Sequence, residues 1–80
     1  MNLDEKRFLQ ALGLRLRDLR AGRNLTQAQL AERCDLHRTF IGSVERGERN
    51  VSILNLRLIA RVLRVSLEAL FSDRMLFCIA

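Results

Sequence analysis

The chain has 80 residues, 49% of them apolar, with four glycines and no proline, which is typical of one compact helical domain rather than a disordered segment. The net charge of +5 favours a polyanionic partner such as nucleic acid, although arginine-rich chains are also typical of genomes with high GC content. Neither tyrosine nor tryptophan is present, which argues against an aromatic platform for single-stranded bases.

The sequence indicates no metal site, no membrane-spanning segment and no enzymatic activity. Cys34 and Cys78 form no CxxC motif and have no histidine at ligand spacing, so we predict no metal site and no cofactor. The first residues are charged, and no apolar run approaches the ~20 residues that span a bilayer, so we expect a cytoplasmic protein without a signal peptide. The single histidine has no nucleophile at matching spacing and the carboxylates form no acid/base pair, so no enzymatic activity is predicted.

Two helices are predicted in the first part of the chain. Residues 3–21 have the spacing of an amphipathic helix, which Gly22 and Asn24 close. Thr26 is a good N-cap for a short second helix, residues 27–33. The apolar positions expected to face the core in these helices are Leu9, Leu12, Leu16, Leu19, Leu30 and Ala31.

A tight turn and a third helix are predicted next. Residues 34–36 form the turn, in which Asp35 is best able to adopt a left-handed backbone. The third helix covers about 38–46, with Ile41 and Val44 inside. Gly47 ends it, as a glycine just past the last helical turn commonly does.

Two further helices complete a predicted all-α fold, a compact five-helix bundle over residues 1–80. After a polar loop, residues 47–51, Ser52 is expected to cap the fourth helix, and Ser66 to begin a fifth. The positions expected inside on the fourth helix are Ile53, Leu56, Ile59, Ala60 and Leu63. The apolar positions of the fifth are Leu67, Leu70 and Phe71.

A dense motif runs through the middle of the chain. It reads Leu-Thr-Gln from residue 25, Leu-Ala from 30, apolar residues at 36, 41 and 44, and Glu-Arg-Gly from 45. With this motif the chain resembles the phage-repressor, or Xre-type, helix-turn-helix family over residues 15–71. Within that family, residues 35–52 are most similar to compact regulators, including the controller proteins of restriction-modification systems. The resemblance implies a lambda-repressor-like bundle with the helix-turn-helix at about 26–46.

The resemblance also shows two departures and one expected ion pair. Asp35 stands where the family usually has glycine in the turn, and His37 stands where Ser or Thr usually caps the recognition helix. Histidine is the poorer cap, so its imidazole has two interpretations, a cap or a phosphate contact. The family pattern further implies that Glu45 pairs with Arg20 of the first helix, in a structural role.

Base contacts are expected from the first exposed residues of the third helix, the recognition helix. Arg38 is the best candidate, because a guanidinium can donate to two atoms of one guanine; a phosphate contact is the alternative. Thr39, with Ser43 one turn further on, is also predicted to contact bases. Gly42 is expected to leave the helix surface bare for close approach to the duplex. Phe40 is expected to be partly buried against the fourth helix, or else to meet a thymine methyl.

Phosphate contacts are expected around the recognition helix. In the family, the residue that matches Gln27 bonds a backbone phosphate, and an amide at a helix N-terminus is suited to this role. Arg46, Arg49 and Asn50 follow the recognition helix and are predicted to contact adjacent phosphates. Arg57, Arg61 and Arg64 form a stripe on the fourth helix, either a solvated face or a flanking phosphate patch.

The last residues indicate self-association. Residues 75–80 are apolar and uncharged, and an 80-residue monomer has little room to bury them. We therefore predict a homodimer with residues 66–80 at the two-fold axis, where Leu76, Phe77 and Ile79 meet. The alternative is that this tail folds back into the core.

Together these features predict a transcriptional regulator, such as a repressor, that binds near-palindromic double-stranded DNA in a bacterial or phage nucleoid. The alternative from another class is an antitoxin-like module that neutralises a partner protein. Such modules usually carry a separate partner-binding segment, and the sequence shows no obvious one.

Overall fold

The computed structural model describes residues 2–71, which form five α-helices and no strand. The helices are α1 (Leu3–Gly22), α2 (Gln27–Cys34), α3 (Arg38–Glu45), α4 (Ile53–Leu63) and α5 (Leu67–Leu70). The all-α fold class is confirmed, and the first three helices end within one residue of their predicted bounds. Within residues 2–71, no helix is long and apolar enough to cross a membrane.

Local side-chain caps decide where the helices begin. The Thr26 hydroxyl accepts from the Gln29 amide at 3.0 Å, while the Gln29 side chain accepts from the Thr26 amide at 2.8 Å. This reciprocal capping box satisfies two of the donors that a helix N-terminus leaves free. Ser52 and Ser66 cap α4 and α5, as predicted. At α3, Nδ1 of His37 accepts from the Thr39 amide at 3.1 Å, so the imidazole is a cap in this structure.

The ends of α2 and α3 are followed by left-handed residues at the places where the sequence predicted a turn and a helix stop. Asp35 follows α2 with φ 56° and ψ 41°, and the Leu36 amide donates to the Ala31 carbonyl at 2.8 Å. Asp tolerates this conformation better than most residues with a Cβ. Gly47, past the end of α3, has φ 72°, where glycine meets no penalty. Asp35 therefore adopts the left-handed turn although it carries a Cβ.

The core is built from the apolar stripes of all five helices. Its buried members include Leu12, Leu16, Leu30, Ala31, Ile41, Val44, Leu56, Ile59, Ala60, Leu63 and Leu70. These agree with the predicted inward positions, whereas Leu19 packs against the core only partly buried. The prediction for Ile53 was wrong: it was expected inside and is 62% exposed. It is the first residue of α4, and this helix packs against α2 and α5 with its later turns, through residues such as Leu56 and Ile59.

Helix α1 carries the contacts that hold α3 and α5. Gly13 of α1 is buried, and a Cβ built there would lie 2.6 Å from the carbonyl oxygen of Val44 in α3. Nη2 of Arg15 donates to the Ala69 carbonyl of α5 at 3.2 Å. The rings of Phe8 and Phe71 stack with centroids 6.3 Å apart. The recognition helix is therefore pressed against α1 by direct backbone approach.

Candidate nucleic-acid interface

Helices α2 and α3 form a helix-turn-helix joined by three residues. α2 ends at Cys34, and α3 begins at Arg38 after the left-handed Asp35 and the capping His37. α3 packs against both α2 and α1, which fixes its axis in the molecule. A second helix held in this way can enter a major groove as a rigid element.

Only the first turn of α3 offers side chains to a ligand. Arg38 and Thr39 are exposed, and Phe40 is half-buried. The helix is buried from Ile41 to Glu45, and the chain becomes exposed again at Arg46. The two residues predicted to contact bases from the start of the helix thus lie where recognition helices present base-reading side chains.

The Glu45 carboxylate is turned away from this surface and accepts three hydrogen bonds from two side chains. Its carboxylate accepts from Arg20 Nε at 2.6 Å and Nη2 at 3.0 Å, and from Gln27 Nε2 at 3.0 Å. Nη1 of Arg20 donates to the Leu25 carbonyl at 2.7 Å. The Glu45 side chain is 4% exposed and that of Arg20 14%, so the implied pairing of these residues is confirmed.

Neutralising Glu45 inside the protein leaves basic side chains at the surface. A bidentate arginine is the strong form of a carboxylate pair, so Glu45 itself adds little negative charge to the surface at the end of α3. Arg38, Arg46 and Arg49 are all exposed. The surface around the first turn of α3 is therefore suited to a polyanion.

The side chains predicted to contact phosphates differ in their exposure and in how many of their donors already bind other protein groups. Gln27 is half-buried and uses one amide hydrogen on Glu45, so a second N–H remains. Arg46 pairs with Glu48 at 3.0 Å, but both side chains are more than half exposed, and such pairs are worth only ~0–1 kcal/mol. Arg46 can therefore exchange Glu48 for a phosphate at little cost. Asn50 is exposed.

Ser43 and Gly42 do not have the surroundings that the sequence predicted. Ser43 is 8% exposed, and its hydroxyl donates to the Phe40 carbonyl at 2.9 Å and accepts from Arg49 Nε at 3.1 Å. The structure thus gives Ser43 protein partners where a base contact was expected. Gly42 is buried and lies beneath Gln27: a Cβ there would be 3.4 Å from its Oε1. The expectation of a bare helix surface at Gly42 was wrong, because Gln27 of α2 and the Arg46 guanidinium cover this position.

Sequence reasoning missed the contact between Arg49 and the recognition helix. The Arg49 guanidinium carbon lies 5.4 Å from the centroid of the Phe40 ring, which is the distance of a cation–π pair. Phe40 is partly buried, as expected, but its exposed side is turned to an arginine from the following loop. No local pattern could have shown this, because the contact depends on the path of residues 46–50.

Of the remaining predicted residues, some are exposed on the surface and the others lie outside the described residues. The three arginines of α4 and its C-terminus, Arg57, Arg61 and Arg64, are exposed, which is compatible with a solvated face and with a flanking phosphate patch. The predicted dimer residues Leu76, Phe77 and Ile79 lie outside the described residues, as does Cys78. Cys34 is buried, and burial raises the pKa of its thiol above the usual range.

Residues 16–70 match the family model described as Helix-turn-helix, and the chain belongs to this family. Control protein C.SmaI of Serratia marcescens is 46% identical over 63 residues, which cover 79% of this chain and 75% of that protein. Control protein C.BamHI of Bacillus amyloliquefaciens is 46% identical over 54 residues, covering 66% and 67% of the two chains. The resemblance to helix-turn-helix regulators, and to controller proteins among them, is confirmed.

A solved structure of the same kind has a closely similar backbone. The restriction-modification controller protein C.AhdI from Aeromonas hydrophila matches with a TM-score of 0.77 and 43% identity, over 79% of this chain and 91% of that one. At this identity the likeness extends beyond the fold. It supports assigning the exposed turn of α3 to a regulator's recognition helix.

Proposed function

We propose that this protein is a transcriptional regulator that binds a specific double-stranded DNA sequence through the first turn of α3. The observation that carries the proposal is the exposure of Arg38 and Thr39 on a helix that is half-buried at Phe40 and buried from Ile41 to Glu45, beside a basic loop. Arg38 donates to a guanine edge and Thr39 contacts a neighbouring base, since these side chains match the groups of the major groove. The action is binding, with no chemical step on the DNA.

The surrounding residues supply position and affinity. Gln27, Arg46, Arg49 and Asn50 contact phosphates on either side of the groove, and such contacts fix the register of the helix without reading sequence. The inward pairing of Glu45 supports this division, because an exposed carboxylate here would repel the phosphates. The protein acts where bacterial or phage DNA is accessible, in the cytoplasm and on the nucleoid.

We further propose that the DNA-binding unit is a homodimer on a near-palindromic operator. The related controller C.Esp1396I, 33% identical with a TM-score of 0.75 over 90% of this chain, was solved as a tetramer in complex with its natural 35 base-pair operator. In this chain, Leu76, Phe77 and Ile79 remain the proposed residues at the two-fold axis. Within the described residues, exposed apolar side chains of α4 offer a second surface for a partner copy: Ile53 is 62%, Leu54 67% and Leu58 36% exposed.

Selection from randomised duplexes tests the proposed reading of DNA. The wild type should recover a two-fold symmetric sequence. Arg38→Ala should lose preference at one symmetric pair of positions, because each guanidinium–guanine contact gives ~1–3 kcal/mol of discrimination. Arg46→Ala, the matched control, should weaken all sequences about equally and keep the preferred one.

Two outcomes of this selection would count against the proposal. If the wild type enriches no sequence, the protein is not a specific regulator. If Arg38→Ala recovers the unchanged wild-type sequence, Arg38 is a phosphate contact and base reading lies elsewhere.

A further inference from the structure

Arg49 is held against the recognition helix by a connected set of contacts. Its Nε donates to the Ser43 hydroxyl at 3.1 Å, and its guanidinium lies over the Phe40 ring, 5.4 Å from the centroid. The Ser43 hydroxyl in turn donates to the Phe40 carbonyl at 2.9 Å. A hydroxyl that gives its only hydrogen to a carbonyl keeps its lone pairs for an incoming N–H. We call Phe40 and Ser43 the Arg49 seat.

The seat leaves the outer part of the guanidinium free. Arginine has five N–H donors, and the contact to Ser43 uses only the one on Nε. Among residues 2–71, the two terminal nitrogens of Arg49 have no hydrogen-bond acceptor, and the residue is exposed. Their parallel N–H groups match the two oxygens of a phosphate, which is the bidentate geometry that arginine favours.

An arginine side chain that is already held in place loses less conformational entropy when it binds a ligand. A mobile arginine gives up rotamer freedom when it is fixed on a ligand, and a side chain ordered beforehand gives up less. The guanidinium lies over the ring of Phe40, which belongs to the first turn of α3. The free N–H groups are thus held beside the first turn of the recognition helix.

We propose that Phe40 and Ser43 are positioning residues that hold Arg49 ready for a DNA phosphate beside that turn. This inference rests on the proposed DNA binding and gives Ser43 a role through Arg49 in place of the predicted base contact. The phosphate, rather than a base edge, is the ligand because Arg49 comes from the loop after α3, whereas base-reading side chains come from the helix start.

A double-mutant cycle on the selected operator tests the seat. Ser43→Ala should weaken binding roughly threefold to tenfold for each subunit of the dimer, the scale expected for fixing one mobile side chain. In an Arg49→Ala background the same substitution should have no further effect, because nothing remains to be positioned. Arg46→Ala is the matched control: the guanidinium of this neighbouring arginine pairs with Glu48 rather than with Ser43, so its effect should multiply with that of Ser43→Ala. Ser43→Thr retains the hydroxyl and should restore binding.

Salt dependence gives a readout that loss of folding would not produce. Arg49→Ala should reduce the slope of log affinity against log salt by about 0.9 for each phosphate that is no longer neutralised, twice over in a dimer. Ser43→Ala should keep the wild-type slope, since Arg49 still reaches the phosphate. Thermal melting of each variant checks that the fold is intact.

Three results would overturn the seat. The first is that Ser43→Ala binds DNA with the full wild-type affinity. The second is that Ser43→Ala causes the same loss of affinity whether residue 49 is Arg or Ala. The third is that Ser43→Ala changes the base preference, and that this change persists in the Arg49→Ala background. The last would show that Ser43 touches a base itself. Failure of the wild type to bind DNA contradicts the proposed function instead, so the two failures are distinguishable.

Discussion

Glu45 connects the three helices on which the recognition surface depends. It lies at the end of α3, accepts two hydrogen bonds from Arg20 of α1, and accepts a third from Gln27 of α2. With 4% of its side chain exposed, the carboxylate is separated from water, and its charge is balanced only by these donors. Removing either charge leaves the other buried and unpaired.

Glu45→Ala and Arg20→Ala should therefore each destabilise the protein by about 3–5 kcal/mol, the cost of breaking a buried pair. The double variant should be destabilised by much less than the sum, because neither charge is then left alone. Thermal and denaturant unfolding of the four proteins measures this coupling.

The exposed pair Arg46–Glu48 provides the matched control for this cycle. Its side chains are 57% and 58% exposed, so its coupling should stay below about 1 kcal/mol. Additive losses of stability at Arg20 and Glu45 would show that the buried pair contributes no more than a surface one.

At the scale of the elements, the position of α3 depends on how closely α1 approaches it. Gly13 lies against the carbonyl groups of Val44 and Glu45, and a Cβ there would be 2.6 Å from the former. These atoms are backbone, so they cannot move aside without shifting α3. At Gly22, the end of the same helix, no atom of residues 2–71 outside the local helix backbone comes within 4 Å of the corresponding position.

Gly13→Ala and Gly22→Ala should thus act in opposite directions. Alanine at 22 should be neutral or stabilise by up to about 1 kcal/mol, through helix propensity. Alanine at 13 should destabilise by about 1–3 kcal/mol, because overpacking outweighs the same gain. Thermal melts of both variants check this, and stabilisation by Gly13→Ala would show that α1 and α3 are not held in close contact.

The face of α4 leads to a prediction about association. Replacing Ile53 and Leu54 together with Glu should convert a micromolar dimer to a folded monomer in sedimentation, because charge enters an apolar interface. Leu14→Glu changes an apolar residue of α1 that is 50% exposed, and it should leave the dimer intact.

Replacing Phe77 and Ile79 with Asp tests the predicted interface of the C-terminal residues, and it should also give a folded monomer in sedimentation. If a variant stays dimeric, the residues substituted in it do not belong to the dimer interface.

The helices and most of the core were predictable, because periodicity, capping residues and turn residues are local signals. Thr26, Asp35 and Gly47 each have the conformation that their chemistry favours. Features that depend on neighbouring elements were not predictable. Ile53 continues the apolar stripe of α4 yet is exposed at its end, and Ser43 shares a helical face with Thr39 yet is covered by Arg49.

At the scale of the whole molecule, the charge and the symmetry act together. A net charge of +5 per chain attracts DNA of any sequence, and a dimer doubles it. Specificity requires that both copies of α3 enter the major groove on one face of the duplex. For helix-turn-helix dimers the half-sites are about 34–36 Å apart, one turn of DNA. The affinity for an operator therefore depends on simultaneous engagement of two half-sites.

Changing the spacing of the half-sites tests this account most directly. The measurement is equilibrium binding to the selected operator and to a duplex with ~5 base pairs inserted between its half-sites, about half a helical turn. The two recognition helices can then no longer reach both half-sites, so affinity should fall by roughly a hundredfold or more. Equal affinity for the two duplexes would contradict the account, because the protein would then bind without paired α3 helices in successive major grooves.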